Sequence, residues 1–127
     1  MYYIGLMSGT SMDAVDAALV EFDKKATLKF YNEYPLEISV KNQICQINEK
    51  SNLIDVVMLD NKLGYIFADA ANDLVKKADI NSNQVAAIGS HGQTILHVPT
   101  IAEKTSIQIS DPNIICAETG ITVVADF

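Results

Sequence analysis

The chain has 127 residues, 49% of them hydrophobic and 20% charged, the composition of one globular domain with a core of its own. Its formal net charge of −7 excludes the long-range field that draws nucleic acid or an anionic membrane, so an anionic ligand must be met by a local device such as backbone N–H groups. No apolar run approaches the roughly 20 residues that span a bilayer, and Met1-Tyr2-Tyr3-Ile4-Gly5 lacks the basic start of a secretory signal; a cytoplasmic protein with neither nucleic-acid nor membrane partners is the expectation.

Three strands come first. Tyr2 to Met7 is short and apolar and breaks at Ser8-Gly9-Thr10-Ser11. Asp13 to Phe22 alternates in part, and Leu28 to Leu36 follows a turn at Asp23-Lys24-Lys25, which together predict a β-meander. Glu37 to Ile47 has a weak helical period. From Leu53 to Ala78 the period is strong, with Leu53, Val56, Val57, Leu63, Ile66, Phe67, Ala70, Leu74 and Ala78 on one stripe. Asn52 stands where an N-cap belongs, Asp55 makes a partial capping box, and Lys76 and Lys77 suit the negative end of the helix dipole.

After Asn81-Ser82-Asn83 a short buried strand, Val85 to Gly89, is expected to open onto a loop at Ser90-His91-Gly92-Gln93-Thr94. Two further strands, Ile95 to Val98 and Ser106 to Ser110, lead to a helix that begins at Asp111-Pro112 and ends at Gly120. Ile121 to Ala125 reads as a β-branched strand covered on both faces. A buried strand that runs into Ala125-Asp126-Phe127 reads as part of something longer. Cys45 and Cys116 have no metal or disulfide spacing and are expected to be reduced, small core residues.

Three segments could carry chemistry. Gly9 between two strands permits close approach of a ligand to the backbone, and Thr10 and Ser11 add hydroxyl donors, so the segment Gly9, Thr10, Ser11, Met12, Asp13, Ala14, Val15 and Asp16 can cradle phosphate oxygens. Asp13 could orient a Mg²⁺-bound water. The same residue types also make an ordinary hairpin turn. Gly89-Ser90-His91-Gly92-Gln93-Thr94 follows a buried strand, where α/β sheets place ligands, and its imidazole, amide and hydroxyl suit a polyhydroxylated sugar. The alternative is that His91 and Gln93 satisfy buried backbone groups. His91 and His97 lack a third ligand for a metal site. Asp126, at the carboxyl end of the last strand, is placed for a cleft or is simply a loop residue.

Taken in order, these segments resemble the anhydro-N-acetylmuramic acid kinases. Gly5-Leu6-Met7-Ser8-Gly9-Thr10-Ser11 with Asp13 and Asp16 is similar to that family's opening motif. Gly89 to Thr94 with His97 and Pro99 is similar to its second, and Gln108-Ile109, Asp111-Pro112, Thr119-Gly120-Ile121 and Val123 to Phe127 to its third. The resemblance implies an α/β, RNase-H-like domain of the actin-like ATPase and sugar-kinase superfamily. It implies ATP and Mg as cofactors, Gly9 to Asp16 on the nucleotide phosphates, and Gln93 and Thr94, with His91, facing the sugar. The implied reaction opens the 1,6-anhydro ring of anhydro-N-acetylmuramic acid with water and phosphorylates O6, in peptidoglycan recycling.

The resemblance also carries departures. The superfamily usually has Asp where this chain has Met7, which leaves any Mg²⁺ role to Asp13 or Asp16, and the family commonly has Gly at the positions of Ala14 and Ser110. Its general-base Asp and its second domain lie downstream of the matching segment. The expectation is therefore that residues 1–127 form an N-terminal phosphate- and sugar-binding domain, inactive alone and prone to self-associate or dimerise through its last edge. The alternative is a non-catalytic sugar- or protein-binding module.

Overall fold

The computed structural model describes residues 1–98 and 104–127. In chain order these form β1 (Tyr2–Ser8), β2 (Ala14–Phe22), β3 (Ala26–Pro35), α1 (Ile38–Gln46), α2 (Leu53–Lys77), β4 (Val85–Val98), β5 (Thr105–Ile109), α3 (Pro112–Thr119) and β6 (Val123–Ala125). The first three strands are the expected antiparallel meander, paired from Tyr2 with Glu21 to Ser8 with Val15, and from Ala14 with Pro35 to Phe22 with Ala26. Helices α1 and α2 carry the chain back so that β4 lies parallel to β1 on its other side. The sheet order is β3-β2-β1-β4, and two strands share the far edge of β4. β6 runs parallel along Ile88 to Ser90, and β5 runs antiparallel along Gln93 to Val98. A meander with parallel crossovers to its far side is the RNase-H-like arrangement of a mixed α/β domain.

Strand alternation decides which face is covered. Ile4, Leu6, Val15, Ala17 and Leu19 point to one side and are buried against Leu63, Phe67, Ala70, Ala71 and Leu74 of α2. Each such side chain contributes about 1.5–3 kcal/mol on burial. Gly64 lets α3 approach α2 closely, since a Cβ there would stand 3.1 Å from the Asp111 carbonyl oxygen and the Ile114 Cβ. α3 starts as its sequence dictates, with the Asp111 carboxylate accepting from the Asn113 N–H and Pro112 in the first turn, and Gly120 closes it at φ 68°.

Several expectations are corrected. The stripe on α2 is buried only from Leu59 onward; Leu53 and Val57 are exposed, and Val56 is half-buried against the core. Asn52 caps through its backbone carbonyl, with no side-chain bond. Val85 to Val98 is one strand rather than two strands around a loop. β6 is limited to three residues, and Val124 is exposed rather than covered on both faces. Cys45 and Cys116 are free, as expected, but both lie at the surface of their helices instead of in the core.

Candidate functional site

The β1–β2 connection forms a tight turn in which the Met12 N–H donates to the Gly9 carbonyl at 3.1 Å. Positive φ falls on Met12, at 55°, and not on Gly9. The Met12 side chain packs against the core, which fixes the turn and leaves Thr10, Ser11 and Asp13 exposed at its rim. The glycine is nevertheless where close approach is open: a Cβ built on Gly9 meets no heavy atom within 4 Å. Asp13 forms an ion pair with Lys41 of α1, and its carbonyl accepts from the Leu36 N–H at 2.9 Å.

The remaining residues of the expected cradle belong to β2. Val15 is fully buried in the core, so its side chain cannot reach a ligand. Asp16 accepts from the Tyr31 hydroxyl at 2.7 Å on the opposite face from Val15, and Glu33 accepts from the same hydroxyl at 2.9 Å. These two carboxylates raise the Tyr31 phenol well above its ordinary range. Ala14 has no positive φ, and neither does Ser110, so their departure from glycine leaves no backbone strain.

The second segment is a bulged strand. Leu6 pairs with Ser90 and Met7 with Gly92, so His91 is the extra residue on β4. On the other edge β4 leaves β6 at Ser90 and meets β5 at Gln93. His91 and Gly92 bridge that gap, and a pocket of about 320 Å³ opens beside them. Gly92 is required there: its φ is 77°, and a Cβ would come within 2.8 Å of the Ile109 carbonyl oxygen. Asp60, Ser90, Gln108, Ser110 and Asp126 bring polar groups to the same pocket. Ser90 and Ser110 hydroxyls lie 3.3 Å apart, and the Asp60 carboxylate accepts from the Ser110 N–H at 2.8 Å. Burial pushes the Asp60 carboxyl up from its ordinary range; the Ser110 bond opposes this in part, and neighbouring Asp111 adds to it.

The sugar-facing expectation splits. His91 is exposed and lines the pocket. Gln93 does not: its side chain is fully buried, accepts from the Ser8 hydroxyl at 2.5 Å, and donates to the carbonyls of Gly9 at 3.4 Å and Thr94 at 3.0 Å. Every polar atom of the amide is spent inside the protein, the alternative its sequence context had left open. Thr94 is half-buried, and its hydroxyl accepts from the Gln108 amide at 3.2 Å. Asp126 reaches the pocket rim in a left-handed conformation, φ 60°. His97 is exposed on β4, opposite Ser106, and Pro99 lies outside the described residues.

Sequence reasoning missed Asp60 and Lys41. Both sit on helices far along the chain from the residues they contact, and only their acid–base type was visible. Asp60 lies on the face of α2 that meets the start of α3, and its backbone carbonyl also accepts from the Asp111 N–H at 3.2 Å.

The turn and the pocket stand at the carboxyl ends of β1 and β6, along the bulge of the β4 strand between them, the position where open α/β sheets bind ligands. The family model for anhydro-N-acetylmuramic acid kinase matches residues 1–127. The chain is 44% identical over 128 residues to the anhydro-N-acetylmuramic acid kinase of Vibrio vulnificus (strain YJ016), with 98% of the chain covered. It is 46% identical to that of Shewanella loihica over 130 residues and 47% identical to that of a Sulfurovum species over 127, covering 99% and 98% of the chain. In each case it spans 35% of the relative's length. With both motifs set side by side on adjacent strands and a match along its whole length, the chain belongs to the anhydro-N-acetylmuramic acid kinase family.

Proposed function

We propose that the chain is the N-terminal phosphate- and sugar-binding part of a bacterial kinase that converts 1,6-anhydro-N-acetylmuramic acid to N-acetylmuramic acid 6-phosphate with ATP, in the cytoplasm. The observation that carries this reading is the register of β1 on β4, which sets the Gly9 turn beside the strand that lines the His91 pocket. A nucleotide phosphate at the first and a sugar hydroxyl at the second would then be neighbours, and phosphoryl transfer depends mainly on such positioning.

In this reading the backbone from Gly9 to Asp13, with the Thr10 and Ser11 hydroxyls, holds the phosphates, and the space above Gly9 fits them. Magnesium supplies charge neutralisation when bound. Among the described residues no group of three His, Cys, Asp or Glu side chains forms a metal centre, so the ion would rest chiefly on phosphate oxygens, with Asp13 as the exposed carboxylate at hand. His91, Ser90, Ser110 and Asp126 face the sugar, and Asp60 lines the same pocket.

For the chain taken by itself, a non-catalytic sugar- or protein-binding module is the second reading. Self-association belongs to this proposal too, since Val124 and Phe127 leave apolar surface at the β6 edge. Among the described residues no helix is long and apolar enough to cross a membrane.

The test is a pair of ¹H–¹⁵N titrations of the chain. ATP with magnesium should shift the amides of residues 9–13, and the anhydrosugar those of Ser90 to Gly92. A chain that responds to neither ligand overturns the reading; a response to the sugar alone supports the module.

A further inference from the structure

Gln93 is a fully buried polar side chain in the core that joins the two candidate subsites, and its bonds run toward the phosphate turn rather than toward the pocket. Ser8, its closest partner, is the last residue of β1 and is itself 1% exposed. The Gly9 carbonyl takes two donors, the Met12 N–H that closes the turn and the Gln93 amide that ties the turn to β4. The remaining amide hydrogen is held by the Thr94 carbonyl. An amide is the group that can do this: one end must accept from a hydroxyl while the other donates to two carbonyls. A carboxylate at this position would leave both carbonyls without their donor and bury a charge.

We propose that Gln93 is a positioning residue for the nucleotide, which holds the Gly9–Met12 turn in its phosphate-receiving shape from within β4, and that it makes no contact with the sugar. The proposal deepens the kinase reading and rests on it for the identity of the ligand. It assigns the amide a role opposite to the one its motif suggests. It also explains why the histidine and the glutamine, two residues apart, serve different ligands: the bulge at His91 turns the imidazole to the pocket, while Gln93 returns to the ladder opposite Ser8 and points into the core.

Gln93→Met keeps the volume and removes every bond; Ser8→Ala removes one bond from the other side. In the 127-residue chain, hydrogen exchange at the Met12 amide should accelerate about tenfold in Gln93→Met, while the amides of Ile4 and Leu19 keep their protection. The dissociation constant for ADP with magnesium, read from the shifts of residues 9–13, should rise about tenfold in Gln93→Met and less in Ser8→Ala, with anhydrosugar affinity changed by less than about twofold. Adding Ser8→Ala to Gln93→Met should change little more, because the shared bond is already gone.

A loss of sugar affinity equal to or larger than the loss for ADP overturns the proposal. So does unchanged Met12 exchange in both variants. If Gln93→Met fails to fold, Ser8→Ala reads the same bond. If ADP moves no amide of the wild-type turn, the phosphate reading falls, whereas the Met12 exchange still decides whether Gln93 shapes the turn.

Discussion

Lys41, in the first turn of α1, forms an ion pair with Asp13 at the rim of the β1–β2 turn, 28 residues before it. The contact places a cation beside a segment whose own charges, Asp13 and Asp16, would repel a nucleotide. Both partners are well exposed, with side-chain exposures of 40% and 66%, so the pair contributes little to folding.

Replacing Lys41 by Ala should therefore change stability by less than about 1 kcal/mol while raising the dissociation constant for ADP roughly three- to tenfold at low salt. That difference should shrink as ionic strength rises and exposed charges are screened. Titrations at two salt concentrations, beside thermal melts, check it. Unchanged or tighter ADP binding in Lys41→Ala would show that the lysine restrains Asp13 without serving the phosphates.

Much of this architecture is legible in the sequence because local chemistry and fold agree. The meander, the long α2 and the Asp111-Pro112 to Gly120 helix carry their own start, stop and period signals. The failures lie where tertiary context decides. Gly92 reads as a loop residue, yet it is the positive-φ member of a bulge that keeps β4 continuous from β6 to β5. Gln93 reads as a ligand group because a polar residue in a glycine-rich segment suggests exposure, and no local signal reveals that Ser8, 85 residues away, claims its oxygen. Val15 was expected at the cradle by adjacency to Asp13 and Asp16, but strand alternation sends every second side chain of β2 into the core.

Gly92→Ala should destabilise the chain by roughly 2–4 kcal/mol, the sum of a left-handed backbone penalty and forced movement of a backbone atom. The Ile109 carbonyl, 2.8 Å from the new Cβ, belongs to β5 and cannot rotate away as a flexible side chain would. A fall of about 10 °C in the melting midpoint is the expected reading. Gly5→Ala, at a glycine whose added Cβ meets nothing within 4 Å, is the matched control and should fall far less. Equal melting of the two variants would mean that β4 relaxes at the bulge without cost.

Asp60 makes stability depend on pH. Its folded pKa is raised, chiefly by burial, so the native state holds the proton more tightly than the unfolded chain. The contribution is complete below the ordinary Asp range and is lost as pH rises from about 4 through the raised folded value. Asp60→Asn keeps an oxygen for the Ser110 N–H and has no charge to desolvate. Its melting midpoint should therefore gain on the wild type as pH rises through that window. A constant difference across the window would assign the effect to packing instead of ionisation.

The chain by itself should release no sugar-dependent ADP in a coupled assay. It spans 35% of the length of its kinase relatives, and phosphoryl transfer depends mainly on positioning and charge stabilisation by groups gathered around both ligands. Positioning is worth roughly 7–11 kcal/mol and a general base about 10²–10⁴-fold, so a site without its full set of such groups turns over below detection while binding persists. Turnover by a monomer, checked by sedimentation, would place a complete catalytic apparatus within these 127 residues.

Gly9→Val separates the phosphate turn from an ordinary hairpin turn. Gly9 is not among the positive-φ residues, and a Cβ there touches nothing within 4 Å, so the native backbone can carry a β-branched side chain. The fold should therefore tolerate the change to within about 1 kcal/mol, as for surface positions without special strain. The valine methyls would nonetheless stand in the space that a phosphate must enter to meet the Thr10 and Ser11 amides. ADP affinity should fall by roughly 100-fold or more, about 2.7 kcal/mol or greater, with Gly9→Ala in between. Anhydrosugar affinity at the His91 pocket should hold, because that pocket is lined by β4, β5, β6, Asp60 of α2 and the start of α3 and not by the turn. A folded Gly9→Val chain that still binds ADP like the wild type would reduce Gly9-Thr10-Ser11-Met12 to a connection between two strands.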